Sequence, residues 1–321
     1  MTEAADARLG DSARKRALLA QERLISPSLI QLDYLAPPPE MAPFVTTFFL
    51  FRCDETHIAD VQPAGVGLLA VFMRGRGELF LRDGTVDASH LVNLVTPLSA
   101  AAPILMEGPW HTFGAALSPL GWAALTGGLS ASDHGNRMRN AAELIGEPLQ
   151  AFGEALTAAY NGPGISNEAM VAMASEALAP LMRPVPAAHI ALIGQVAEWM
   201  GGSLSPKVDD LLARAPYSPR QLQRLVDKYF GLPPKQLARK YRALRAAALL
   251  AHPGTSPDEL ALVAEQFYDQ PHMIRELRLF TGRTPARLGA PDLPVLSALL
   301  DLRNFREVKP RIAAMPPGFG A

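Results

Sequence analysis

Between Ser205 and Pro285 the chain writes a hydroxyl residue followed by proline four times: Ser205-Pro206, Ser218-Pro219, Ser256-Pro257 and Thr284-Pro285. Each pair is a helix start. The hydroxyl accepts one of the orphan amides of the first turn, and proline at the first helical position gives up no hydrogen bond. Ser218-Pro-Arg-Gln221 and Ser256-Pro-Asp-Glu259 also carry Gln or Glu at the third helical position, the pattern of a capping box. Four sharp starts within some eighty residues restrict this part of the chain to short helices joined by tight corners.

The spacing within those helices points to a surface job. From Pro219 to Phe230, Leu222, Leu225, Val226 and Tyr229 recur at helical spacing and form a buried stripe, which leaves Arg220, Gln223 and Arg224 on the other face. Arg can bond guanine, and Gln adenine, in bidentate fashion from the major groove. A short helix ahead of it, Pro206–Ala213, and the corner Arg214-Ala-Pro-Tyr217 complete a helix-turn-helix by length. A second unit follows: a helix over Asp258–Gln266, a corner at Phe267–Asp269, and a helix from Gln270 to Thr281 capped by Asp269. Met273, Leu277 and Phe280 face inward there, with Gln270, His272, Arg275 and Arg278 left for contact. Between the two units lies a basic helix over 234–250 with Lys235, Arg239, Lys240, Arg242 and Arg245, suited to phosphate. At 1.5 Å per residue it spans on the order of 25 Å, close to the roughly 34 Å repeat of the major groove.

Charge agrees. Ser205–Ala290 holds 14 Lys/Arg against 8 Asp/Glu, near +6, in a chain whose formal net charge is −1. The remainder is therefore acidic, and a uniformly basic coat is excluded. One cysteine excludes a disulfide framework and a multi-cysteine zinc site. The seven histidines form no local metal motif, so no metal and no cofactor is expected. Gly65-Val-Gly-Leu-Leu-Ala70 matches a dinucleotide fingerprint formally but lacks the strand–helix context. Met1–Ile30 has no apolar core of a signal peptide, and no run is apolar enough to span a membrane, which makes the cytoplasm the expected location.

The C-terminal motifs resemble a known family. Ser218-Pro-Arg-Gln-Leu-Gln-Arg-Leu225, Gly231-Leu-Pro-Pro-Lys235 and Arg242-Ala-Leu-Arg-Ala-Ala-Ala-Leu-Leu250 are similar to the first half of an AraC/XylS-type DNA-binding domain. Tyr268-Asp-Gln-Pro-His-Met-Ile-Arg275 and Phe280-Thr-Gly-Arg-Thr-Pro285 are similar to its second half, with Gln266 where the family has glycine. The resemblance implies a transcription regulator with seven helices over about 188–288, two of them reading helices. Base contacts would fall to Arg220, Gln223 and Arg224 and to Gln270, His272 and Arg275; Gly231 and Gly282 would end the two helices.

Ahead of this domain, Val45–Phe51, Gly67–Met73, Glu78–Arg82, His90–Val95 and His111–Leu117 read as short strands, with Asp83-Gly84 a hairpin turn. The expected fold class is therefore α+β: an antiparallel β-rich, cupin-like barrel for sensing, then an all-α tandem helix-turn-helix domain. The expected boundaries are a partly disordered leader over 1–30, a sensing or dimerising domain over 31–140, a helical connector over 141–186, the DNA-binding domain over 187–290 and an extension over 291–321. Phe49, Phe51, Phe72, Phe80 and Trp110 are the aromatics that either line a ligand site or fill the core. The expected partner is double-stranded DNA; a small-molecule effector, RNA polymerase and a second copy of the chain stand as open candidates, and no membrane is expected. A cupin-like binder or enzyme with a helical assembly domain is the alternative, and no catalytic constellation supports it.

Overall fold

The computed structural model describes residues 30–288 and 294–301. The expected leader, apart from Ile30, and most of the 291–321 extension lie outside the described residues.

The first half is an eight-stranded antiparallel sheet: β1 (Ile30–Leu35), β2 (Val45–Cys53), β3 (His57–Gln62), β4 (Leu68–Phe80), β5 (Val86–Ala88), β6 (Val92–Val95), β7 (Ala102–Leu117) and β8 (Met138–Asn140). The main path runs β1-β2-β7-β4-β6-β8, with β3 on β7 and β5 on β4. Strand β7 organises it, pairing β4 along one side, and β3 then β2 along the other. Asp83-Gly84 does form the β4–β5 turn, with Gly84 at φ 88°.

Alternation along the central strands separates two faces. Phe48, Leu50, Leu69, Val71, Phe113 and Leu117 pack in one cluster with Leu149, Phe152, Leu156 and Leu178. The covering helices are α1 (Pro119–Leu125), α2 (Ala141–Leu144), α3 (Glu147–Asn161) and α4 (Asn167–Leu178). Phe49, Phe51, Ala70, Phe72, Trp110 and Thr112 belong to the opposite face. There the sheet curls, so that Leu32 of β1 and Met138 of β8 line the same cavity.

The second half contains α5 (Ala187–Gly201), α6 (Val208–Arg214), α7 (Pro219–Phe230), α8 (Pro234–Ala251), α9 (Pro257–Glu265) and α10 (Gln270–Thr281). A 3-10 turn over Pro285–Arg287 stands where a seventh helix was expected. Ser218 and Ser256 cap as expected, and the reciprocal capping box is formed at Ser256. Ser205-Pro206 is not a helix start: α6 begins at Val208, and Ser205 instead turns its amide toward Ser203 Oγ. A short α11 (Pro294–Leu299) then returns to the sheet, where the amides of Val295 and Leu296 donate to the Asp60 carboxylate at 2.9 and 3.3 Å.

Candidate nucleic-acid interface

The two candidate reading helices are built alike. In α7, Ser218 Oγ accepts the Gln221 amide at 3.3 Å, and Leu222, Leu225, Val226, Tyr229 and Phe230 are buried. In α10, Asp269 Oδ1 accepts the His272 amide at 2.6 Å, and Leu277 and Phe280 are buried. Each helix ends on a left-handed glycine, Gly231 at φ 79° and Gly282 at φ 76°, where a side chain would be strained. Arg220, Gln223 and Arg224 are exposed on α7, and Gln270, Arg275 and Arg278 on α10. Tyr268, at the corner just before α10, is 92% exposed and was not picked out by the sequence pattern.

Both helices meet loops of the N-terminal half by their C-terminal ends. The Ala131 amide donates to Lys228 O of α7 at 2.7 Å. The Ala64 and Ala101 amides donate to Phe280 O and Leu279 O of α10 at 2.8 and 2.9 Å. These are carbonyls of a last turn, which need partners from outside the helix. The first turns, by contrast, are exposed at Pro219–Gln221 and at Gln270 and Pro271.

Phosphate contact was expected along α8, and only part of it survives. Lys235 is exposed. Lys240 is not a surface residue: it is 1% exposed, and its Nζ donates to Gly65 O at 2.8 Å and Leu98 O at 3.0 Å, both in the N-terminal half. Burial lowers its pKa to about 7. Arg245 is buried as well and donates to Met200 O and Ser203 O, closing the end of α5. Helix α8 is buried on most of its circumference, so Lys240 points into the N-terminal half and Arg245 toward α5, which the run of charges hid.

Arg239 and Arg242 converge on Glu276 of α10, each with a nitrogen 2.6 Å from a carboxylate oxygen, and His272 Nε2 lies 3.1 Å from Glu276 Oε1. Glu276 is 1% exposed. His272, expected to read bases, has its other ring nitrogen 3.4 Å from the Tyr268 amide. Both of its ring nitrogens are engaged within the protein, which ties the side chain to the fold of α10. Arg239 is half committed in the same way. Sequence reasoning missed Glu276 because its partners are brought together by tertiary packing; its one local signal is the His272–Glu276 spacing of four.

Residues 211–290 match the family model of a helix-turn-helix domain. This segment is an AraC-type helix-turn-helix domain. The match supports DNA binding, and the segment follows an antiparallel sheet domain in this chain as expected. No curated protein matches the chain. Among solved structures, ToxT from Vibrio cholerae aligns at a TM-score of 0.44 with 9% identity, covering 80% of this chain and 97% of that one. ToxT from Vibrio cholerae O395 bound to (E)-4-(8-methylnaphthalen-1-yl)but-3-enoic acid gives 0.44 and 8%, covering 82% and 99%. The AraC-like transcriptional activator CuxR gives 0.30 and 10%, covering 85% and 91%. Among the described residues no helix is long and apolar enough to cross a membrane.

Proposed function

We propose that this chain is a sequence-specific transcription regulator that is not an enzyme. Helices α7 and α10 enter successive major grooves on one face of the duplex, and α8, on the order of 27 Å long, sets their separation. Arg220, Gln223 and Arg224 read one groove; Gln270 and Arg275 read the next. Lys235 and Arg278 neutralise phosphates. The N-terminal domain tunes binding through a small molecule held within the sheet or through contact with a second copy. The observation that carries the reading is the pair of side-chain-capped helices whose first turns are exposed while their last turns are tied to loops of the N-terminal half.

The test is fluorescence anisotropy with DNA from upstream of the gene against a scrambled duplex. Arg224→Ala and Arg275→Ala each weaken specific binding by about 1–3 kcal/mol. Unchanged affinity in both variants would sink the assignment of the reading helices.

A further inference from the structure

The concave face of the sheet encloses a cavity of about 290 Å³, at the small end of the range for ligand sites. Phe49, Phe51 and Phe72 supply much of its wall; Phe80 does not. Among the described residues that line it none is Asp, Glu, Lys, Arg or His. An ion entering would lose its hydration and meet no counter-charge, so the cavity selects against carboxylates, phosphates and ammonium groups.

The cavity is not purely apolar. Trp110 and Thr112 both line it, at 8% and 2% exposure. Trp110 Nε1 and Thr112 Oγ1 have no hydrogen-bond partner among the described residues and almost no surface open to the cavity, so a ligand reaches them only where the wall yields. Buried polar atoms ordinarily find one, and each orphan costs stability until something meets it. Indole N–H only donates; the threonine hydroxyl donates or accepts. The two residues are next but one on β7 and so share a face. Tyr34, Thr46, Thr47, Gln62 and Tyr241 interrupt an otherwise apolar lining, so a matching molecule presents an acceptor to the Trp110–Thr112 pair and a largely apolar body elsewhere.

The walls also come from beyond the sheet. Tyr241 of α8 and Val295 and Leu299 of α11 complete the lining. The loop Pro63–Val66 lines it too, and its outer side holds the DNA-binding domain: the Ala64 amide donates to Phe280 O, and Gly65 O accepts from Lys240. Segments that enclose the cavity are thus the same segments that dock α8 and α10.

We propose that the cavity is the site for an uncharged, largely apolar small molecule that presents a hydrogen-bond acceptor to Trp110 and Thr112, with the Pro63–Val66 loop and α11 coupling its occupancy to docking of the DNA-binding domain. This rests on the effector-tuned reading above and names the class of effector.

Benzophenone is a suitable probe for the full chain: it is neutral, aromatic and carries one acceptor oxygen. Diphenylmethane lacks the acceptor, and 4-benzoylbenzoate adds a charge. Titration calorimetry should show saturable benzophenone binding, about tenfold or more tighter than 4-benzoylbenzoate. Illumination should place covalent adducts on cavity residues such as Met106 or Met138. Thr112→Val keeps the wall's shape, whereas Trp110→Phe removes the N–H together with one ring; each should weaken benzophenone by about three- to tenfold, the loss of one modest hydrogen bond, and Thr112→Val should leave diphenylmethane unchanged. Benzophenone should also change affinity for operator DNA, and DNA should change affinity for benzophenone by the same factor. Absence of saturable binding, equal affinity for the carboxylate, adducts outside the cavity, indifference to both substitutions, or no linkage to DNA overturns the proposal. If that happens while specific DNA binding persists, the effector class falls and the regulator stands. If benzophenone binds as described and no DNA does, the ligand class stands and the regulator falls.

Discussion

Lys240→Met separates a cation that touches DNA from one that holds two domains together. A phosphate-contacting lysine releases counterions, and its loss flattens the slope of log K against log salt by about 0.9. Lys240 Nζ instead lies 2.8 and 3.0 Å from Gly65 O and Leu98 O and is buried. The expected slope change on substitution is therefore nil, and affinity for scrambled DNA is unchanged. The exposed Lys235→Met is the matched control, expected to flatten the slope by about 0.9. Methionine also leaves no carbonyl orphaned, because Gly65 O and Leu98 O already accept each other's amides at 3.2 Å. Stability adds a second readout. The Lys240 pKa is about 7 in the fold against 10.5 in the unfolded chain, so between those values the unfolded chain binds more protons. The wild type should gain several kcal/mol as pH rises from about 7 to about 10, and lose it again on acidification. Lys240→Met should lack that rise and should be the more stable protein at pH 6. Anisotropy across a salt series and urea unfolding across pH measure both. A slope flattened as much by Lys240→Met as by Lys235→Met would refute the buried, domain-linking role.

Three other substitutions probe neighbouring features. Glu276→Gln leaves Arg239 and Arg242 without their carboxylate, and should cost about 3 kcal/mol in urea unfolding while weakening binding at the half-site read by α10; a neutral result would mean the buried cluster does not position that helix. Asp60 is held up to about 6 by burial, against three amide hydrogen bonds and the charge of Arg283, so the native state keeps its proton longer than the unfolded chain does. Stability should therefore fall by about 3 kcal/mol as pH rises from about 4 to about 6, and Asp60→Asn should abolish that fall; an identical pH profile in the variant would contradict it. Gly282→Ala forces a side chain into a left-handed backbone and brings Cβ to 2.7 Å from Val61 Cγ1, so it should destabilise by at least 1–2 kcal/mol, read as a lower thermal midpoint. No change there would mean that α10 can leave the sheet at little cost.

What was legible in the sequence is what local chemistry decides. The caps at Ser218, Ser256 and Asp269, the two left-handed glycines, the stripe of α7 and the Asp83-Gly84 turn each involve neighbours a few residues apart, and each formed. Strands fared less well. Only His111–Leu117 of β7 was expected, because Pro103, Gly108 and Pro109 read as punctuation. The strand continues through them, and Pro109 falls where β7 passes from β3 to β2, between Glu107 paired to His57 and Trp110 paired to Cys53. A missing amide costs no ladder bond there. Strands β1 and β3 were overlooked: β1 is half-buried at an edge, and β3 carries Asp60, whose burial makes sense only once α11 supplies amides more than two hundred residues away.

The same distinction governs the candidate interface. Counting cations over 205–290 suggested one basic surface, but the fold spends several of them internally. Lys240 goes to two sheet carbonyls, Arg245 to the end of α5, and Arg242, with part of Arg239, to Glu276. A carboxylate that neutralises two arginines at the junction of α8 and α10 makes the middle of the domain structural. Besides the exposed Lys207, Arg214 and Lys235, what remains outward is Arg220, Gln223 and Arg224 at one end, and Gln270, Arg275 and Arg278 at the other. Removing the central cations from the surface concentrates contact at two separated patches, which favours specific reading over general adhesion to polyanions. Because the last turns of both helices are held by loops of the N-terminal half, a shift of Pro63–Val66 or of the Ala101 and Ala131 segments should change the spacing of those patches. On the proposed reading, the N-terminal half is thereby placed to set which pairs of half-sites the two helices can engage together.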